Sequence, residues 1–185
     1  MVMAWAGRLG DMLYRRVRSE RGDGRFDDLK THPGQFLVPW SLQATWVVLT
    51  LLAATAVWSR AAVGPSLGVL DLLGVLLWGL GFGIEAVADQ QKQAFRADSR
   101  NRGRFVDTGL WAWSRHPNYF GEILLWTGLS VLALPVLTGW AWGALASPVF
   151  VAVLLTKVSG IPLLEARADA RWGGDPAYED LSLIH

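Results

Sequence analysis

The chain has 185 residues, 52% of them hydrophobic, with 11 Trp and a formal net charge of +1. Apolar residues gathered in blocks at this density exclude an ordinary soluble domain, and near-neutral charge gives no ground for a nucleic-acid partner. The absence of cysteine excludes a disulfide framework or a thiolate site, and three widely spaced histidines (His32, His116, His185) argue against a dedicated metal centre.

Met1 to Lys30 reads as the end of a helix followed by a basic, glycine-broken loop carrying Tyr14-Arg15-Arg16 and Arg25-Phe26. No cleavable signal is expected, because Arg8, Arg15, Arg16 and Arg18 follow the apolar residues rather than precede them. Residues 1–35 are therefore a basic juxtamembrane segment.

Phe36 to Trp58 is the first long apolar run. It is long enough for a hydrocarbon layer of roughly 30 Å at about 1.5 Å per residue. A short Gly64-Pro65 turn leads to a second span, Leu67 to Asp89, with Asp71 near one end and Glu85 and Asp89 at the other. Gly74, Gly79, Gly81 and Gly83 offer small faces for close helix approach. Glu85, Asp89, Gln93 and Arg96 continue at helical spacing, which predicts a helix leaving the membrane with one polar, ligand-facing side.

Gln90 to Ser114 is the longest polar connection and holds Lys92, Arg96, Arg100, Arg102 and Arg104, with Arg115 just beyond. Such a run fits positive-inside topology and equally a loop that wraps a phosphorylated cofactor. Pro117 suits the first turn of a helix, where its missing N–H is not needed, so a helix is predicted to start near His116 or Pro117, and the third span is Tyr119 to Leu137. Asn118 and Glu122 share one face of that apolar helix, with Trp126 a turn further on. Polar groups placed so are costly unless they act. Arg115 stands at the helix mouth, where free N–H groups already favour an anion.

Gly139 to Gly160 is the fourth span, expected to form an antiparallel hairpin with the third. Trp140 and Trp142 anchor one interface and Lys157 the other. Residues 161–185 form a soluble tail with Pro162, Glu165, Arg167, Arg171 and Tyr178. The expected architecture is all-α: a polytopic bundle of about four transmembrane helices, residues 36–160, with helices in the cytosolic loops. Lys and Arg concentrate in 1–35 (seven) and 89–118 (six), against one in the 59–66 turn. Both termini and the 89–118 loop are thereby placed in the cytosol. No feature specifies an oligomer.

GFGIEAVADQQKQAF (Gly81 to Phe95) and TGLWAWSRHPNYFGE (Thr108 to Glu122) resemble the C-terminal region of the steroid 5-alpha-reductase-like membrane proteins, closest to their bacterial branch. Pro162 to Tyr178 resembles the segment that closes the cofactor site in that family. The resemblance implies NADPH-dependent reduction of a carbon–carbon double bond in a small lipidic substrate, in a bacterial inner membrane. It carries cofactor contacts over to Asp89, Arg96, Asn118 and Glu122, with Glu85 in place of an Asn or Glu. Arg115, His116, Tyr119 and, in the tail, Glu165 belong to the same site, and Glu122 is also a catalytic candidate. No soluble dinucleotide-binding G-x-G-x-x-G is present, so the cofactor would lie between membrane helices.

Members of that family carry further N-terminal helices, where the substrate-polarising acid is expected. This leaves Tyr14 as the candidate acid and the chain as an expected fragment. A second resemblance is to isoprenylcysteine and phospholipid methyltransferases, through Arg115-His116-Pro117, Tyr119, Gly121 and Glu165. It implies S-adenosylmethionine instead of NADPH. A non-enzymatic scaffold touching anionic lipid explains the arginines and tryptophans but not Glu85, Asp89, Asn118 and Glu122 together.

Overall fold

The structure, a computed structural model, describes residues 1–19, 33–61, 67–158 and 160–182. The Arg25-Phe26 part of the basic loop, His32, the Gly64-Pro65 turn and His185 lie outside the described residues. Seven α-helices are seen among the described residues, and no strand. They are α1 (Val2–Ser19), α2 (Pro33–Ala61), α3 (Val69–Ala97), α4 (Pro117–Ala133), α5 (Ala146–Val153), α6 (Ile161–Trp172) and α7 (Pro176–Ser182). Four stretches are long and apolar enough to cross a membrane: Trp40–Ser59, Val69–Ala97, Pro117–Val136 and Gly139–Trp172. The all-α membrane bundle expected from the apolar blocks is what the chain forms.

α3 and α4 are the central pair and make the most extensive helix contact. Glycines permit it. A Cβ on Gly81 would lie 2.5 Å from the Leu125 nitrogen, and one on Gly121 would lie 2.6 Å from the Glu85 nitrogen. Gly74 and Gly128 meet one another seven residues away on each helix, so the two backbones touch antiparallel over two turns. In an apolar solvent such contact is driven by van der Waals packing, which small residues improve. Trp126, Leu125 and Val151 are fully buried beside this seam, with Ala53 from α2.

α3 has 29 residues and so runs about 43 Å, longer than the hydrocarbon layer. Its Glu85 to Ala97 end carries the polar series Glu85, Asp89, Gln93 and Arg96.

Val2–Ser19 forms an amphipathic helix docked on α3. One expectation is corrected. The fourth span is not one regular helix. Residues Gly139–Leu145 are 3-10, Leu154–Val158 form a π turn, and α6 starts afresh at Ile161. Prolines account for both breaks. In an α-helix the rings of Pro148 and Pro162 would strike the carbonyls of Ala144 and Val158, so α-geometry begins only within the turn before each proline. Trp140 remains fully exposed, as an interfacial anchor should be.

Candidate functional site

The helix start read from Pro117 is real: α4 begins there, with Pro117 in its first turn. Upstream, the 109–113 loop is pinned to α3. Gln91 Oε1 accepts from the Leu110 N–H at 3.0 Å, and Trp111 Nε1 donates to the Ala88 carbonyl at 2.9 Å. Gly109 adopts φ +63 with the Gln91 amide packed against it, a place where a side chain would be both strained and blocked.

The tail folds back to this point. Glu165 on α6 pairs with both Arg115 and His116, and Arg115 Nε donates to Glu165 Oε1 at 3.2 Å. Arg115 also contacts Asp169 at 3.4 Å and the Tyr178 hydroxyl, and its guanidinium lies 4.1 Å over the Tyr178 ring. Tyr178 donates to Asp169 at 2.7 Å. Burial pushes the Tyr178 phenol above its usual range. At the far end of α6, Trp172 Nε1 donates to the Gly103 carbonyl at 2.8 Å, and Phe105 meets Trp172 and Tyr178 edge-on.

These contacts enclose a cleft of about 310 Å³ between the 92–115 segment and α6–α7. Its cations are Lys92, Arg96, Arg104, Arg115, Arg167 and Arg171, and Glu165 is the lone carboxylate in its wall. Lys92 sits 4.5 Å over the Trp111 ring. Arg96, Arg104 and Arg167 have no carboxylate within ion-pair distance among the described residues, so the cleft carries a surplus of positive charge beside flat aromatic faces. Of the basic loop, Arg100 turns away, paired with Asp98 at 2.6 Å, an interaction that holds Asp98 below the usual carboxylate range.

A second cavity of about 420 Å³ lies on the other side of Arg115, His116 and Glu165, which line both. Tyr119 lines it and stacks on His116, with ring centroids 5.6 Å apart and planes 8° from parallel.

The remaining sequence candidates form a different group. Glu85 accepts from Trp5 Nε1 at 3.1 Å and pairs with Arg8, whose other arm reaches Asp89 at 2.8 Å. Glu122 lies within electrostatic reach of Asp89, Glu85 and Arg8. Glu85, Asp89 and Glu122 thus meet at the α1–α3–α4 junction and line neither cavity. Asn118 stands on the first turn of α4, partly buried, and also lines neither. Tyr14 is 65% exposed on α1, away from both groups. Arg96, Arg115, His116, Tyr119 and Glu165 are the candidates brought together around the cavities.

Sequence reading missed Trp5 and Arg8 as partners of the α3 carboxylates, Asp169 as a partner of Arg115 and Tyr178, and Phe105 and Trp172 as cleft residues. The first had a usable signal: Trp5 and Arg8 are three apart, one face of a strongly amphipathic helix.

A bundle of apolar helices, four of them long and apolar enough to cross a membrane, marks a helical membrane protein, and its basic, aromatic cleft is the candidate site. The chain belongs to the family described as "Protein of unknown function (DUF1295)", which it matches over residues 1–182. No curated protein and no solved structure matches it.

Proposed function

We propose that the chain is an integral-membrane reductase that uses NADPH to saturate a carbon–carbon double bond conjugated to a carbonyl in a lipidic, steroid- or enone-like substrate. The observation that carries this reading is the cleft in which the guanidinium groups of Arg96, Arg104 and Arg167, without an ion pair among the described residues, stand beside Phe105, Trp111 and Trp172. That donor set fits a polyanionic nucleotide: guanidiniums suit phosphate geometry, and the flat rings suit a purine. The steroid 5-alpha-reductase-like resemblance of residues 81–122 points the same way. We place this basic end of the bundle, both termini and the 89–118 loop in the cytosol, and the protein in a bacterial inner membrane.

NADPH, when bound, would supply a hydride to the β-carbon of the enone, and solvent would supply the proton that completes the α-carbon. The chain's own residues bind and orient. Arg96, Arg104 and Arg167 hold phosphate oxygens. Arg115, fixed by Glu165 and Asp169, stands at the partition between the two cavities. Asn118 and Glu122, within the first turns of α4, line neither cavity, and it is the resemblance alone that assigns them to the nicotinamide amide and ribose.

A second reading, a membrane methyltransferase using S-adenosylmethionine, is favoured by one contact: the Arg115-His116 pair and the distant Glu165 of that looser motif touch one another. Equilibrium binding of NADPH, NADH and S-adenosylmethionine to the detergent-purified chain separates the two. The reductase reading expects NADPH to bind more tightly than NADH. Arg96→Ala or Arg104→Ala should each weaken NADPH roughly tenfold, the loss of one charge-assisted contact. Glu122→Ala should weaken NADPH binding with the helix still inserted. Binding of S-adenosylmethionine alone moves the protein to the methyltransferases.

A further inference from the structure

The second cavity has a different character from the cleft. Beyond the shared partition it is bounded by Ser114, Tyr119, Phe120, Ile123, Thr156 and Ile161. We propose that it is a binding site for a single-tailed lipid with a neutral hydrogen-bonding head, a carbonyl or hydroxyl, taken up sideways from the bilayer between α4 and the 154–158 π turn.

Three observations carry this. The first is placement. Ser114 to His116 precede the span Pro117–Val136, whereas Phe120 and Ile123 lie in its first two turns and Thr156 lies in the span Gly139–Trp172. The cavity thus crosses from a polar boundary into the apolar layer, as the head and tail of a lipid do. Phe120 on its rim is 58% exposed, facing where lipid would be.

The second is charge. Arg115 is met by Glu165 and Asp169, and His116 by Glu165, so the polar end of this cavity has no surplus cation. The surplus lies across the partition, in the cleft. An anionic head is better served there; the second cavity offers the Tyr119 hydroxyl and the stacked His116 ring instead. Removing an ionised head from water without a counter-ion would be costly, while a carbonyl or hydroxyl needs only a hydrogen bond.

The third is the wall. The Thr156 hydroxyl donates to the Ala152 carbonyl at 2.7 Å, which leaves no hydroxyl donor for a carbonyl head on the π-turn side and puts that contact at the Tyr119 end. A π turn inside a helical span is itself a frequent mark of a functional site. A volume of about 420 Å³ falls within the ~300–1,000 Å³ of small-molecule sites.

This deepens the reductase reading by giving its lipid a place, but the test reads lipid occupancy and needs no turnover. The purified chain in nanodiscs is photolabelled with a diazirine-bearing hexadecanol, and the adducts are mapped by peptide sequencing. Saturable labelling within 119–123 and 155–161 is expected, competed by an enone of the same chain length and not by palmitate. Ile123→Trp and, independently, Ile161→Trp should each fill the cavity and reduce that labelling roughly tenfold. Helicity and NADPH binding are measured on the same samples, so loss of fold and failure of the cofactor reading are scored separately. Labelling spread evenly over the lipid-facing sides of α2 and α3, or unchanged in both well-folded variants, would overturn the proposal. So would palmitate competing better than the alcohol, which would show an anionic head.

Discussion

Glu165 on α6 meets His116 at the mouth of α4 across 49 residues of sequence, and the same carboxylate also holds Arg115. This one side chain joins the tail to the helix start and separates the two cavities. Glu165→Gln keeps the shape and removes the charge. It should cost about 1–3 kcal/mol, the range for leaving charged donors poorly satisfied. Faster hydrogen exchange across 161–172, with α3 and α4 unchanged, is the expected reading. Uniform exchange as in the wild type would show that the tail is held by its aromatic contacts instead.

Arg8 is the cation shared by Glu85 and Asp89, whose side chains are only 4% and 10% exposed. Arg8→Met leaves both acids without it. Breaking a buried pair in this way costs on the order of 3–5 kcal/mol. Unfolding in mixed micelles should move accordingly, and adding Glu85→Gln to Arg8→Met should recover part of the loss.

The glycine seam makes a sharper contrast. Gly121→Leu forces a side chain into a gap where a Cβ would already sit 2.6 Å from the Gly81 carbonyl oxygen. Overpacking of this kind costs about 1–3 kcal/mol, and the separation of α3 from α4 would be seen as weaker resistance to denaturing detergent. Gly79→Ala, with open space around the added atom, should change stability by no more than about 0.5 kcal/mol.

Tyr178 gives a pH dependence. Its phenol is pushed above the ordinary value of about 10 by burial, so the folded state holds the proton more tightly than the unfolded one. The stabilisation is therefore fully present below the unfolded value and lost as pH rises through the folded one. The difference between tyrosinate absorbance titrations of the wild type and Tyr178→Phe isolates this group. Its midpoint is expected above that of free tyrosine; a midpoint at or below it would mean that the tail does not shield the ring.

Much of this was written locally. The four apolar stretches, the helix start at Pro117 and the polar end of α3 follow from hydropathy and from what proline and helical spacing permit, which depend on neighbours along the chain. The membership of the basic cleft was half legible. Lys92, Arg96, Arg104 and Arg115 stand within one short stretch of sequence, but Arg167, Arg171 and Tyr178 reach them only because α6 and α7 fold back. The choice of partners was not legible. Glu85 and Asp89 looked free to hold a ligand, yet Arg8 takes them from about eighty residues away. Sequence alone determined which segments are apolar and where helices break, because those are properties of a few consecutive residues. Tertiary structure decided which charges neutralise one another, and hence which remain for a ligand, because a charge buried in a low-dielectric interior is governed by whatever helix packs against it.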